Sequence, residues 1–505
     1  MPALSKELPP YTGPYRVGAV DIEAPCDGRL VHAATHLCDG QAAFQLDTVL
    51  FTLYYPAAPD APVTLPRHRW LLEPARLRGE GFARFVNISN WVVDRVFAFL
   101  LWALVGSIRI PADVDRETEG PSSRYPVVVF SHGMAASRTD YTQLCGELAS
   151  RGNIVAAIEH RDGSGPGSVI RRGDGRHGTM LSTDHDPPLD RASLQRAQLT
   201  FRQAEMEETV RVLRMLNAGD GENVFRHNAR GEGTHLAQWK GRLDIERMIL
   251  AGHSYGATGV LRACATDQNL TTPSSSSSNP PNPIPIIPPI PSLPIAGCVA
   301  LDPGKASGPL NTDIPVPLLI IHSHSWSRKI SLFMGRPHFD VVRDLAKICL
   351  RRTGAAWFMT SLGTSHPSCT DAPIIQPLLL GWATGATVEA REGVLQYVRR
   401  MQEFLDFVVS GERKGLLDKG VTHEEYREEV LVPWKKVNNP RDWRRDWQIH
   451  VAPGDDGATG GRRLVRLVSS GGESEDVELE EIMTTSSVPE SSRPVDCDMG
   501  YRMGI

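Results

Sequence analysis

The stretch Met248-Ile-Leu-Ala-Gly-His-Ser-Tyr-Gly256 runs as an apolar strand into Gly252-His-Ser254-Tyr-Gly256, and a helix-compatible run follows. A glycine two residues before and two residues after a serine, at a strand-to-helix junction, is the pattern of a nucleophile elbow. A serine on so sharp and strained a turn needs neighbours nearly free of side chain. Gly252 and Gly256 meet that need and leave Ser254 exposed at the end of the strand. The glycine–serine spacing alone is common, and the apolar run before it gives the motif its meaning. The bland alternative is a serine in a tight turn with no base beside it.

Strand and helix patterns alternate around this elbow. Val127-Val-Val-Phe130 and Ile154-Val-Ala-Ala-Ile158 are short continuous apolar runs, as expected of strands buried on both faces. Helices are predicted over Tyr141 to Ser150 and Leu189 to Leu216. Further strands are predicted at Met248 to Ala251, Cys298 to Leu301, Pro317 to Ile321 and Ala356 to Leu362. Residues up to about 115 add strand-like runs such as Thr48-Val-Leu-Phe-Thr-Leu-Tyr-Tyr55. The alternation predicts an α/β fold with a mostly parallel central sheet and helices on both faces. Ligand sites in such sheets lie beyond the carboxyl ends of the strands.

Composition narrows the class. The 505 residues are 41% hydrophobic and 22% charged, with a net charge of −5, which fits a globular protein and gives no electrostatic case for nucleic acid. None of the eight cysteines forms a Cys-x-x-Cys pair, so free buried thiols are expected rather than a zinc or redox site. The first ten residues lack an apolar core of signal-peptide length, and an intracellular, cytoplasmic setting is the expectation. The predicted organisation is an N-terminal tail over 1–11 and a catalytic domain over 12–450. That domain carries a disordered Pro/Ser-rich insertion at 271–294, and a disordered acidic tail follows at 451–505. Val96 to Val105 is strongly apolar but too short to span a bilayer of about 30 Å. Its default reading is a buried helix. The other is a helix that dips into a lipid interface, with Trp91, Phe97, Phe99 and Trp102 as anchors.

A serine hydroxyl needs a base, and the base needs an orienting carboxylate. Where an elbow opens such a sheet, the chain order is serine, acid, histidine. Asp302 ends the apolar run Cys298-Val-Ala-Leu-Asp302 ahead of Pro303. Asp313, in a polar loop, is its rival. His366 follows the run Ala356 to Leu362, with His322 and His324 ranked second. His253 is expected to pack with its side chain away from the pocket. The oxyanion donors expected are the backbone N–H of Tyr255 and, from the loop after Phe130, that of Met134. Glu159-His-Arg-Asp162 follows a buried strand and reads either as a substrate contact or, preferably, as an ion-paired loop that shapes the site. No metal-ligand spacing or phosphate-cradling loop appears, so no metal and no cofactor are expected.

Taken together, Tyr125-Pro-Val-Val-Val-Phe-Ser-His-Gly-Met134, Arg138-Thr, Leu148-Ala-Ser-Arg-Gly152 and Ile154 to Asp162 resemble the plasma and type II platelet-activating-factor acetylhydrolases. Gly252 to Gly256, Ala300 to Pro303 and Gly363 to His366 follow in matching order, and Gly13 to Gly18 and Leu53 to Pro56 resemble the start of those enzymes. The resemblance covers about residues 12 to 410. It implies an α/β-hydrolase fold and a calcium-independent esterase acting on the short sn-2 acyl group of phospholipids. It also implies Ser254 as nucleophile, Asp302 as orienting acid, His366 as base and Met134 as an oxyanion donor. The helix at Val96 to Val105 matches one near the family's lipid-contacting surface, so peripheral membrane contact is an expectation too. Tyr255 and Ala257 stand where the family commonly has Phe and Gly, which bears on pocket shape. A general short-chain carboxylesterase and a non-catalytic binding module are the alternatives carried forward.

Overall fold

The computed structural model of the chain describes residues 7–454 except 37–39, 41, 121–123, 173–176, 181–184, 187, 265–292, 329–330, 334 and 429–442. Nearly all of the expected Pro/Ser-rich insertion, and residues 455–505 of the tail expected over 451–505, fall outside these residues, whereas Val451 ends a strand and Ala452 is buried.

Ten strands make the backbone of one sheet: β1 (Arg16–His36), β2 (Ala42–Ala57), β3 (Asp113–Val114), β4 (Tyr125–Ser131), β5 (Ile154–Ile158), β6 (Leu243–His253), β7 (Ile295–Leu301), β8 (Leu318–Ser323), β9 (Ala356–Ser361) and β10 (Trp447–Val451). Their spatial order is β10-β9-β8-β7-β6-β4-β5-β2-β1-β3. The six from β5 to β9 through β4 are parallel, and β2 and β10 join that block antiparallel at its two ends. The short His185–Asp186 segment adds to β1.

The continuous apolar runs find their reason here. Successive side chains point to opposite faces of a sheet. Val127 and Val129 enter one core, and Val128 and Phe130 enter the other. Helices cover both faces, as predicted. The helices used below are α1 (Ala75–Phe85), α2 (Trp91–Val105), α3 (Thr142–Ala149), α4 (Arg191–Ala218), α5 (Tyr255–Ala263), α6 (His338–Thr353) and α7 (Ala390–Ser410). Met206, Val210 and Leu213 of α4, Val260 of α5 and Leu345 of α6 fill one core. Leu144 and Leu148 of α3, with Val398, Met401 and Phe404 of α7, fill the other. The long α4 starts at Asp190, whose carboxylate accepts the Ser193 N–H at 2.7 Å, and stops at Gly219, whose φ of 99° suits glycine.

Three expectations are corrected. The strand before the elbow starts at Leu243, five residues before Met248, because Tyr125 and Pro126 of β4 pair with Leu243 and Asp244. Leu8, expected within an N-terminal tail over 1–11, is instead buried with Leu71 and Val105, and its N–H bonds Arg109 O at 3.1 Å. Most consequentially, α2 is not a buried helix. Asn90 caps it through the N–H groups of Val92 and Val93. It crosses α1 closely enough that a Cβ on Gly79 would sit 2.5 Å from Ala98 N. Only Val105 of its residues is buried, while Trp91, Phe99 and Trp102 are 75%, 61% and 60% exposed. A helix apolar on nearly every face cannot hide them all against one neighbour. Among the described residues no helix is long and apolar enough to cross a membrane.

Candidate active site

Strand register builds the site. His253 pairs with Leu301, and Leu301 with Ile321, so β6, β7 and β8 end at one level. One residue further on, the Ser254 N–H bonds Leu301 O at 2.9 Å and the Asp302 N–H bonds Ile321 O at 2.8 Å. Ser254 and Asp302 are thereby fixed side by side at the carboxyl edge.

Ser254 has φ 55° and ψ −119°, a conformation costing on the order of 1–3 kcal/mol. The flanking glycines make it possible. A Cβ on Gly252 would lie 2.5 Å from the Gly256 carbonyl, and one on Gly256 would run into the carbonyl oxygens of Ser131 and His132. The elbow is pressed against the end of β4, and no side chain fits between.

His366 reaches the same edge from the loop after β9. Its Nδ1–H donates to Asp302 Oδ2 at 2.9 Å, and the Ser254 hydroxyl donates to its Nε2 at 3.2 Å. Asp302, fully buried, also accepts the Ser323 N–H at 2.6 Å and the Ser323 hydroxyl at 2.7 Å. Three donors converge on one carboxylate, and the His366 bond to it fixes the imidazole tautomer, with Nε2 open toward the serine. Such an arrangement can take a proton from a serine hydroxyl and hold the imidazolium that results.

The loop after β4 lies over the elbow, for a Cβ on Gly133 would be 3.2 Å from Ser254 Cβ. The Gly133 N–H bonds Tyr141 Oη at 3.1 Å, and the Ala135 N–H bonds Ser164 O at 2.8 Å. Between them, the Met134 N–H has no acceptor among the described residues. Tyr255 opens α5, where the first amide N–H groups have no partner within the helix. Both expected oxyanion donors are therefore available beside Ser254.

The rivals fall elsewhere. Asp313 forms a half-exposed ion pair with Arg352. His322 is buried and stacked on His338, and burial with the nearby His338 holds it well below the usual imidazole range. His324 Nδ1 accepts the Gly363 N–H at 3.1 Å. His253 corrects the expectation. Its ring does not turn away but lies 4.5 Å from that of His366, because Tyr141 Oη holds its Nδ1 at 2.8 Å.

Glu159, His160, Arg161 and Asp162 are all buried and engaged inside the protein. Glu159 takes Arg78 and Arg138, Arg161 takes Glu23, and Asp162 takes Arg202 at 2.7 Å. His160 sits between Glu205 at 2.6 Å and Ser131 Oγ at 2.7 Å. Burial pushes Glu205 up and His160 down, which favours the neutral form of each. Arg202 also donates to His132 O at 2.6 Å, which ties Asp162 to the loop after β4. Among the described residues, two side-chain triplets bring possible ligand atoms within 4.8 Å of each other: His253, Asp302 and His366, and Asp21, His68 and Glu232. Hydrogen bonds occupy both: Asp302 serves His366, and Asp21 serves Arg138 and Thr52.

Sequence reasoning passed over Ser323 and Trp326. Ser323 ends the strand next to Asp302, so parallel register was the signal for it. Nothing in the sequence pointed to Trp326, whose indole stacks on His366 at 4.0 Å.

The chain is similar in fold and in sequence to known proteins. The solved structure of a ferulic acid esterase from Streptomyces cinnamoneus superposes with a TM-score of 0.50 at 18% identity, covering 82% of this chain and 96% of that one. The fold is that of the α/β-hydrolases. A platelet-activating factor acetylhydrolase of Gallus gallus is 27% identical in an alignment of 279 positions that covers 52% of this chain and 57% of that protein. A putative phospholipase A2 of Schizosaccharomyces pombe is 30% identical in an alignment of 275 positions that covers 50% of this chain and 58% of that protein. The matched stretch thus spans little more than half of each curated relative. The family profile described as platelet-activating factor acetylhydrolase, isoform II, matches residues 3–273. That span holds the elbow and the loop after β4 but ends before Asp302 and His366, whose place is given by geometry alone. With more than half of its length matched, the chain belongs to the platelet-activating factor acetylhydrolase, isoform II family.

Proposed function

We propose that this chain is a calcium-independent serine esterase that removes the short sn-2 acyl group, acetyl above all, from platelet-activating-factor-like glycerophospholipids. The observation that carries the reading is the hydrogen-bonded chain Ser254–His366–Asp302 on a strained elbow beside the free Met134 N–H. Family membership supports the substrate class. Ser254 Oγ attacks the ester carbonyl while His366 Nε2 takes its proton. Asp302 holds the imidazolium, and the N–H groups of Met134 and Tyr255 receive the oxyanion. His366 then returns the proton to the leaving lysophospholipid oxygen, and water cleaves the acyl-enzyme by the same route.

The apolar surface of α2 supports action at a lipid interface. Trp91, Val92, Val96, Phe99 and Trp102 stand out together, and Val86 and Ile88 extend them. An exposed apolar patch of this kind marks an interaction surface. Interfacial aromatic residues sit well at headgroup depth. Six cysteines among the described residues are free, which fits the reducing, intracellular compartment we assign.

The test is turnover of an sn-2 acetyl phospholipid in EDTA, beside a soluble acetyl ester and a Ser254→Ala control. Hydrolysis of both, lost in the variant, is the expected result. Hydrolysis of the soluble ester alone would discard the lipid assignment. Phe99→Ser with Trp102→Ser should lower turnover on vesicles and leave the soluble ester unaffected.

A further inference from the structure

His366 is held between two rings. Trp326 lies against one face, with ring centroids 4.0 Å apart and planes 11° apart. His253 takes the other side at 4.5 Å and 39°. Trp326 is itself fixed. Its Nε1–H donates to Pro303 O at 3.1 Å, next to Asp302, and its backbone N–H donates to Ser323 Oγ at 3.3 Å. The same serine donates to Asp302, so the indole and the carboxylate share one support. Lys305 Nζ sits 4.6 Å from the indole centroid and donates to Trp326 O at 2.7 Å. The imidazole already fills one face of the indole, so the ammonium covers the opposite one.

We infer that Trp326 is a positioning residue for His366: its indole face keeps the imidazole in the plane that joins Ser254 to Asp302 and stabilises the imidazolium formed during ester cleavage. The inference rests on the esterase reading above. The physical reason is the quadrupole of the indole, whose face attracts a cation. When the Ser254 proton moves to Nε2, the imidazole becomes a cation 4.0 Å above that face. The groups facing His366 are Asp302 at Nδ1, Ser254 at Nε2, Ser325 Oγ at its backbone N–H, His253 across the ring and Lys305 through the indole. His253 adds no opposing charge, because burial, then His366, holds it neutral. Lys305 does oppose, since it draws on the same π electrons from the far side.

Trp326 and Lys305 are thereby expected to act with opposite signs, which a merely structural role would not produce. Trp326→Leu, Trp326→Phe and Lys305→Met are compared on a soluble acetyl ester, so that lipid binding does not enter. Near-ultraviolet circular dichroism reports the fold. Trp326→Leu should lower kcat about five- to thirtyfold with KM unchanged, the span that a cation–π contact supports. The acid limb of its kcat/KM profile should move to lower pH. Trp326→Phe should recover most of the loss, and Lys305→Met should move the acid limb to higher pH. Wild-type kcat and an unmoved limb in Trp326→Leu would overturn the inference. So would equal losses in the Leu and Phe variants, or a Lys305→Met limb that stays put or moves down. If Trp326→Leu fails to fold, the Phe and Met variants decide. Turnover surviving in Ser254→Ala would instead overturn the esterase reading itself, so the two failures are distinct.

Discussion

Asp302→Asn isolates the step on which the proposed chemistry depends. The carboxylate receives three hydrogen bonds: the Ser323 N–H at Oδ1, and the Ser323 hydroxyl and His366 Nδ1–H at Oδ2. An amide has one acceptor oxygen and one donor nitrogen. The Ser323 amide cannot turn away, because it is part of the β8 backbone. It therefore claims the asparagine oxygen, and the new NH₂ group faces Ser323 Oγ and His366 Nδ1. The serine hydroxyl rotates to accept. The imidazole accepts only by carrying its proton on Nε2, and then it points a donor at Ser254. The serine has lost its base, while packing is unchanged to within one atom. A wrong tautomer of this kind costs about 10⁴ in kcat, or about 5.5 kcal/mol of transition-state stabilisation. The assay is kcat on the sn-2 acetyl phospholipid and on a soluble acetyl ester, with the melting temperature as a control for folding. The same loss on both substrates at nearly unchanged KM is expected. A folded variant that loses less than about tenfold would refute the tautomer argument, and with it the role given to Asp302.

The remaining predictions concern stability. Gly256→Ala should cost about 3 kcal/mol or more, because its Cβ meets two backbone carbonyls that cannot yield; a melting temperature near that of the parent chain would contradict this. Arg202→Met should cost about 3–5 kcal/mol in urea unfolding, since it strands the buried Asp162 charge and the His132 carbonyl. A cost below about 1 kcal/mol would show that the network relaxes around the loss. Acidification should also destabilise the fold. Burial and Arg202 push His132 down to about 4; burial and Lys305 push His338 down to about 3; and burial pushes His450 to about 3. The unfolded chain binds these protons from about pH 6.5 downward and the folded one does not, so their stability is lost as pH falls from about 6.5 toward 4. Asp371, pushed up by burial to about 7, has the opposite sign, as does Glu205. The histidines outnumber them, and a net loss on the order of a few kcal/mol between pH 7 and pH 5 is expected in urea titrations. A flat profile would mean that the buried imidazoles carry protons.

Much of the site could be read in the chain because the relevant signals are local. Two glycines around Ser254 are demanded by the elbow itself, and β6 before them is an unbroken apolar run. Asp302 and His366 each follow a strand, and strand ends are legible wherever an apolar run stops. Asp313 is a rival in the sequence because it lies in the polar loop that follows the same strand. Register separated them, since the Asp302 N–H bonds Ile321 O while Asp313 faces Arg352.

Sequence by itself determined the parallel α/β architecture, the elbow, and the order serine, acid, histidine, because periodicity and steric need act over a few residues. Tertiary structure alone decided the rest. His253 lies beside Ser254 in the chain, yet its ring direction depends on Tyr141, more than a hundred residues away. Trp326 reaches His366 only because β8 and β9 are neighbours in the sheet. The exposed face of α2 could not be inferred either. An apolar helix looks the same in sequence whether a core covers it or not, and its exposure depends on what else packs there.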